Sequence, residues 1–451
     1  MINFNIKELN TYYDPLYTYN LFKDNIDSIF LDSSKEDEVL SKYSFIGLNP
    51  YKKFVSKGRT VLIDNEVYEN VDAFEELEKL IKRYKLNINS DIPFVSGAIG
   101  YFSYDIGRIL EKLPYNSSED FSIPDSMFIF FDNLIIFDLL KRKTYITAIG
   151  QLEGATSSIL KIEKSLEDYN EYEGISVGDS TNTFFSNFDK EEYEKTISVL
   201  KEYIRNGDVY VANMTRRIWC NNNEDSFEIY EKLRNSNKAP FSAYMNFKDF
   251  QVISSSPERF LSIINGVVQT RPIKGTRPRG KNSEEDEKNK NELINSEKDK
   301  SELLMIVDLE RNDLSKVCKP NSVKVTELFK LEEYETVFHL VATIEGELKE
   351  NVSSVKCIRE CFPGGSITGA PKIRAMEIIE ELEKLKRNIY TGSIGYFDLR
   401  GNSDFNIVIR TIIKKDNKAY LGIGGGITWE SIENDEWFET IDKAKALMGV
   451  L

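Results

Sequence analysis

The residues Arg271 to Gly280 (RPIKGTRPRG) set cations and glycines between two prolines, in a chain whose formal net charge is -15. Proline and glycine punctuate the backbone, so Lys274 sits on a tightly turned segment beside Gly275. Upstream, ERFLSIINGVVQTRPIKG reads as a hairpin about Asn265-Gly266, a strong two-residue turn signal. With 264 facing 267, the register carries Glu258 opposite Ile273, at the roughly 5 Å typical of facing residues. Glu258 therefore lies close to Lys274. Simple alternation points Lys274 to the other face, but Pro272 cannot donate to the ladder, and a bend there can turn it back. A carboxyl and an amine so placed can serve as proton donor and nucleophile; they can also be a surface ion pair.

Further carboxylates stand on helical patterns. DKSELLMIVDLERNDLSKV (299–317) begins a helix that Ser296 or Asp299 can cap, with Met305, Ile306 and Leu309 for packing. Glu302, among these aliphatic residues, needs a cationic partner. In NDEWFETIDKAKALM, Glu436, Glu439 and Lys443 share one face, and Trp437, Phe438, Ile441 and Leu447 fill much of the rest. That helix reads as largely buried, with its acidic face turned to a polar site or to solvent. PGGSITGAPK (363–372) lacks the Gly-Lys-Ser/Thr ending of a P-loop. It is a glycine-rich turn into a helix with Pro371 at the first position and Ile373, Met376, Ile379 and Leu382 on one side. YLGIGGGIT puts Gly424, Gly425 and Gly426 after a strand, where another backbone or a ligand must come close. Arg410, in the apolar strand FNIVIRT, calls for an anion. Together these pieces read as carboxylates for a hard cation such as magnesium, cations for an anionic substrate, and a Glu/Lys pair for the chemistry.

The elements that must hold these residues fall on either side of the polar stretch 171–188. Before it, YSFIGLNP, RTVLIDNEVYENV and FIFFDNLIIFDLL read as strands and VDAFEELEKLIKRYK as an amphipathic helix. After it, Asp189 caps a helix with Tyr193, Ile197, Leu200 and Ile204 as its stripe, closed by Asn206-Gly207. GAIGYF (97–102) and GSIGYF (392–397) echo one another and are read as two independent strands. The charged run 281–300 is a solvated segment placed to cover the site.

Composition narrows the choices. At 451 residues and 41% hydrophobic content, the chain can bury a large core. With 74 acidic against 59 basic residues it is a poor nucleic-acid binder. No signal peptide or membrane-length apolar run is visible, and a cytoplasmic location is expected. The single histidine, His339, and four cysteines without a CxxC pair leave little for a zinc site or a Ser-His-Asp triad.

PIKGTRPRG, MIVDLERNDL, PGGSITGAPK, GIGGGIT and the terminal E-x-x-E-T-x-x-K resemble the chorismate-utilising enzymes, and within them the aminodeoxychorismate synthase component I branch of para-aminobenzoate and folate synthesis. The match is dense from 190 to 447; nearer the N-terminus YSFIGLNP and GAIGYFSYD still agree. The resemblance implies an α+β body of two packed antiparallel sheets flanked by helices, with the site in a cleft. It implies an N-terminal region 1–180 and a chorismate-binding catalytic region 181–451. Magnesium would be held by Glu302 and Glu439, with Glu436 close by. Arg410, Tyr390 and the backbone of Gly424–Gly426 would take the enolpyruvyl carboxylate, Lys443 would add a cation, and Gly275-Thr276 would line the ring-carboxylate site. His339 would lie near the ring. Lys274, alanine in typical anthranilate synthases, would attack ring carbon C2 as a neutral amine, with Glu258 as general acid. Ammonia would then add at C4, giving 4-amino-4-deoxychorismate. Val211 stands where the family has glutamine, or, in isochorismate and salicylate synthases, a water-activating lysine. A tryptophan pocket would be built from Ser33, Tyr43, Ser44, Pro240, Phe241 and Ser242. The alternatives are anthranilate synthase component I, disfavoured by Lys274 and PGGSITG, and a non-catalytic chorismate or tryptophan binder. None of the cysteines sits in a glycine-flanked elbow, so ammonia would come from a separate glutaminase subunit.

Overall fold

The computed structural model describes residues 3–35, 40–172, 175, 182–334 and 337–451, so residues 173–174 and 176–181 of the stretch expected as a boundary, 171–188, lie outside the described residues. Every pairing between its strands is antiparallel. They join in one chain of neighbours that starts with Lys324–Glu333 and Val337–Glu347. It continues through Val267–Arg271 and Arg259–Ile264 to Ser403–Asn406 and Ser393–Asp398. Gly97–Phe102, Ser126–Asp138, Tyr43–Lys57 and Ser28–Asp32 follow. Phe241–Asn246, Gln251–Ser256, Thr411–Lys415, Lys418–Ile427 and Val211–Asn221 complete it.

So long a run of strands cannot stay flat. Side-chain alternation shows how it folds. Ile29, Phe45, Ile136, Val252 and Ile413 share one apolar cluster with Ile99, Tyr101 and Ile129. Their chain neighbours Phe30, Ile46, Ile135, Ile253 and Ile412 point the other way, onto Leu16, Ile159, Phe227 and Leu447 of flanking helices. Likewise Ala98, Phe102, Phe128 and Phe130 turn away from the shared cluster onto Phe74, Leu303 and Val307 of other helices. The result is two sheet layers over a common core, each covered outside by helices, the expected α+β class. Strands buried on both faces read as continuous apolar runs, which is why SMFIFFDNLIIFD (126–138) is buried throughout.

The two echoed segments are strands that pair with one another. Gly97–Phe102 and Ser393–Asp398 lie side by side, Ser393 opposite Phe102 and Asp398 opposite Gly97. With the pairing of Ser28–Asp32 to Phe241–Asn246, this knits both halves of the chain into the same sheets.

Candidate active site

The folding of the strand run brings its two ends together, and the candidate residues collect where they meet. The hairpin forms about Asn265-Gly266 as the turn chemistry requires, with both residues at positive φ. Its register slips at a bulge, however, so Arg259 faces Arg271 and Glu258 falls opposite Pro272 rather than Ile273. The strand breaks at Pro272 and resumes as Ile273–Pro278 along Val337–Glu347. The break restores the expected proximity: the Glu258 carboxyl accepts from the Ile273 backbone N–H and feels the Lys274 charge. Gly275, at φ +73, follows the lysine because a left-handed turn is needed there.

Lys274 Nζ donates to the Ser366 carbonyl at 3.1 Å. From the opposite end of the strand run, a Cβ built on Gly426 would stand 3.8 Å from that Nζ and 3.7 Å from Val211 Cγ2. The glycine run is therefore inside the strand Lys418–Ile427, not after it, and keeps that strand low beside the amine. Gly425 is packed still more closely: its Cβ would lie 3.3 Å from both Glu436 Oε2 and Glu439 Oε1 and 3.5 Å from Lys443 Nζ. Lys443 donates to the Gly424 carbonyl at 2.8 Å and pairs with Glu439 at 2.6 Å.

The helix Glu297–Val317, capped by Ser296, carries Glu302 to the same place. Burial raises the Glu302 carboxyl, against the charges of Lys274 and Lys298, and the nearby Glu439 raises it further. Burial also holds Glu436 up, against a 2.6 Å bond from Ser431 Oγ. Glu439 goes the other way: burial opposes its ionisation, but Lys443, Lys298 and Lys274 carry it below the usual range. Lys298, one turn before Glu302, thus faces all three carboxylates; its place in EKDKSE gave no sign of this. Among the described residues no group of three or more His, Cys, Asp or Glu side chains converges as a ready metal cage. The donors are nonetheless hard oxygens on two facing helices.

Glu258 is 5% exposed, and burial raises its carboxyl despite Lys274 and the Ser366 side chain. Its Oε1 has no hydrogen-bond partner among the described residues. Burial favours the protonated form of this carboxyl, which suits it to give up a proton. Ser366, from PGGSITG, touches both members of the pair, a role the turn-like motif did not reveal. The helix after that turn begins at Lys372 with Pro371 as its cap, and Ile373 is exposed. Phe438 is exposed as well, so the C-terminal helix Glu433–Met448 is covered on fewer sides than its composition suggests.

Arg410 is not in a strand. It lies in the gap between Ser403–Asn406 and Thr411–Lys415 at φ 53, and Nη1 donates to the Lys443 carbonyl at 2.8 Å. Burial lowers it, with the charge of Glu439 and Tyr390 opposing. The buried Tyr390 ring fills the space over Gly422, where a Cβ would come within 2.1 Å of it. His339 Nδ1 shares a 3.0 Å hydrogen bond with Thr276 Oγ1. Burial first, then Arg410, depress His339 to about 4, so its ring is neutral at ordinary pH.

Ser33, Tyr43, Pro240, Phe241 and Ser242 line a separate cavity of about 350 Å³, together with Arg259 and Gln269. Ser44 stands behind this wall, its Oγ accepting from the Ser33 N–H at 3.0 Å and donating to Asp32 at 3.1 Å. Lys274, Glu302, Arg410 and Glu439 do not line it. Among the described residues no helix is long and apolar enough to cross a membrane.

Residues 27–449 match the family model of chorismate binding enzymes. The chain belongs to that family. It is 35% identical over 457 residues to anthranilate synthase component 1 of Acetivibrio thermocellus, covering 97% of this chain and 92% of that protein. It is 36% identical over 419 residues to aminodeoxychorismate synthase component 1 of Bacillus subtilis, covering 91% and 89%. Anthranilate synthase component I from Streptococcus pneumoniae shares the fold at a TM-score of 0.81, with 30% identity over 92% of this chain and 94% of that one. The two reaction names stand at nearly equal identity, so overall similarity does not choose between them.

Proposed function

We propose that this enzyme aminates chorismate to 4-amino-4-deoxychorismate, on the route to para-aminobenzoate and folate. The observation that carries the reading is the Lys274 amine, tethered to the Ser366 carbonyl beside the buried Glu258 and facing the glycine strand. An anthranilate synthase has no use for an amine there. Lys274 forms a bond to ring carbon C2 while the C4 hydroxyl leaves as water with the Glu258 proton. Ammonia then bonds at C4, the C2–nitrogen bond breaks to return the neutral lysine, and the surplus ammonium proton goes back to Glu258. The enolpyruvyl group stays in place, leaving its removal to a separate lyase. Arg410, Tyr390, Lys443 and the Gly424–Gly426 backbone hold the enolpyruvyl carboxylate. Gly275 and Thr276, steadied by the neutral His339, line the ring-carboxylate site. Val211, on the other side of the Gly426 contact, can be no base for water, which favours amination over hydroxylation.

Glu302 and Glu439, with Glu436 near, suit magnesium. That ion takes only one or two protein carboxylates and fills its remaining positions with water and substrate oxygens, so an open donor set fits. Bound there, it would anchor and polarise the ring carboxylate. The nitrogen source is argued from the cysteines. All four are buried, and burial pushes Cys220 and Cys318 up to about 11, so neither supplies a thiolate to attack glutamine. A separate glutaminase subunit is therefore part of the proposal.

The test is product analysis of the purified chain with chorismate, magnesium and ammonium. Aminodeoxychorismate is expected; anthranilate, or no product, would overturn the reading. Replacing ammonium by glutamine with no other protein present should abolish turnover, and efficient glutamine use would remove the need for a partner. The cavity beside Ser33 and Phe241 supports tryptophan as a second ligand. Isothermal titration that detects no heat with tryptophan would eliminate it.

A further inference from the structure

Arg387 has no part in the site described above, yet its guanidinium joins three of the segments that build it. It lies in the loop between the helix Lys372–Leu382 and the strand Ser393–Asp398, with its side chain only 2% exposed. Nε and Nη2 bond the two carboxylate oxygens of the buried Glu383 at 2.9 and 2.7 Å. Nη1 donates to the Ile367 carbonyl at 2.9 Å and to Thr391 Oγ1 at 3.3 Å, and Nη2 donates also to the Asn213 carbonyl at 2.6 Å. Every N–H of the guanidinium is thereby used.

Each acceptor adjoins a residue of the site. Ile367 follows Ser366, whose carbonyl holds Lys274 Nζ. Asn213 stands opposite Gly426, and its N–H donates to the Thr368 carbonyl at 2.7 Å, which closes the turn onto the strand Val211–Asn221. Glu383 Oε1 takes both the N–H and the hydroxyl of Thr215 at 2.8 Å, opposite Gly424. Thr391 follows Tyr390 and is a buried β-branched residue at φ 60, a strained conformation that persists only where the surroundings dictate it.

We propose that Arg387 is a positioning residue: its fork fixes the turn that tethers Lys274 against the glycine strand and Tyr390, and so sets the distance from the amine to a ring held by its enolpyruvyl carboxylate. The inference rests on the reading of Lys274 given above. A planar guanidinium can hold Glu383, Ile367, Asn213 and Thr391 together, whereas a lysine ammonium can neutralise Glu383 but lacks the fork to reach the rest at once. A buried ion pair adds little stability over an apolar pair of the same volume; what this one adds is a single arrangement of the segments it joins.

The experiment measures kcat and KM for chorismate, with magnesium and ammonium, beside a thermal melt, for Arg387→Lys and for Arg387→Met combined with Glu383→Gln. Lysine keeps a counter-charge for Glu383. The double variant leaves no unpaired buried charge and retains an acceptor for Thr215, which covers the case of a lysine chain that fails to fold. In a folded variant kcat and kcat/KM should fall together by about a hundredfold, the cost of a misplacement of about 1 Å, because every group that touches chorismate is still present. A wild-type kcat in a folded variant, a rise in KM at constant kcat, or activity lost only in step with folded protein overturns the inference. A Lys274→Ala chain with wild-type rate and product would instead overturn the reading of Lys274, so the two failures are distinguishable.

Discussion

Replacing Lys274 by alanine removes three things at once, and the structure weighs them differently. The hydrogen bond to the Ser366 carbonyl, 3.1 Å long, is worth about 1 kcal/mol of folding free energy. In a chain of this size that moves the melting temperature by no more than about 2–4 °C. The charge of Lys274 is the strongest influence opposing the burial of Glu258, so the carboxyl rises further but remains a proton donor. The nucleophile itself has no substitute among the groups placed around it, because the Ser366 carbonyl, the Glu258 and Glu302 carboxyls and the Gly426 backbone carry no amine. Loss of a group acting in the chemical step costs on the order of 10²–10⁴ in rate, or about 2.7–5.5 kcal/mol in barrier. Activity should therefore collapse in a chain that stays folded. The assay is chromatographic separation of aminodeoxychorismate from anthranilate after incubation with chorismate, magnesium and ammonium, beside a thermal melt. Residual turnover should shift toward anthranilate. A variant with wild-type rate and product would refute the covalent role, and loss of activity accompanied by a melting temperature lowered by ten degrees or more would refute the claim that the effect is local.

Glu302→Gln and Glu439→Gln should each weaken the magnesium requirement and chorismate binding together, because one ion couples them; a wild-type magnesium titration in either variant removes that residue from the ligand set. Gly425→Ala places a methyl 3.3 Å from Glu436 and Glu439, so KM for chorismate should rise about tenfold with little change in the melt, and an unchanged KM would mean the substrate does not approach this strand. Asp105 is buried and raised by that burial from 3.8 to about 6, with Arg108 opposing. The folded state thus binds its proton more tightly than the unfolded chain: its contribution is full below pH 3.8 and is lost as the pH rises through 6. Stability measured by urea unfolding should fall across that window in the wild type and fall less in Asp105→Asn; equal slopes would count against the assignment.

Features held within a short span of chain were legible in the sequence. Asn265-Gly266 turns because both residues tolerate positive φ, and the turn together with the break at Pro272 brings Glu258 within reach of Lys274. Asp189 caps its helix by accepting from the Glu192 N–H at 2.8 Å, as the spacing predicts. The Glu436, Glu439 and Lys443 face follows from helical periodicity, and it lies against the Gly425 backbone. The motif resemblance named the family, and the family model agrees.

What no local pattern contained was which surfaces meet. Alternation cannot say that Gly97–Phe102 and Ser393–Asp398 are neighbours, since two strands of like pattern can pair with any partner that buries the same face. FNIVIRT reads as strand because Phe405 and Ile407 to Ile409 are apolar, yet the chain leaves the sheet before Arg410, whose guanidinium reaches the Lys443 carbonyl. Phe438 and Ile373 look like core residues and are exposed, because burial depends on a partner surface that composition does not supply. The cavity at Ser33 is walled by residues from six separate parts of the chain, and Lys274 meets Gly426 only because a long antiparallel run had to fold back on itself. Hydrogen-bond geometry and turn chemistry act over a few residues and can be read in order. The closing of the two sheet layers is a balance of apolar surfaces far apart in sequence, and it alone decided that the lysine strand and the glycine strand face each other.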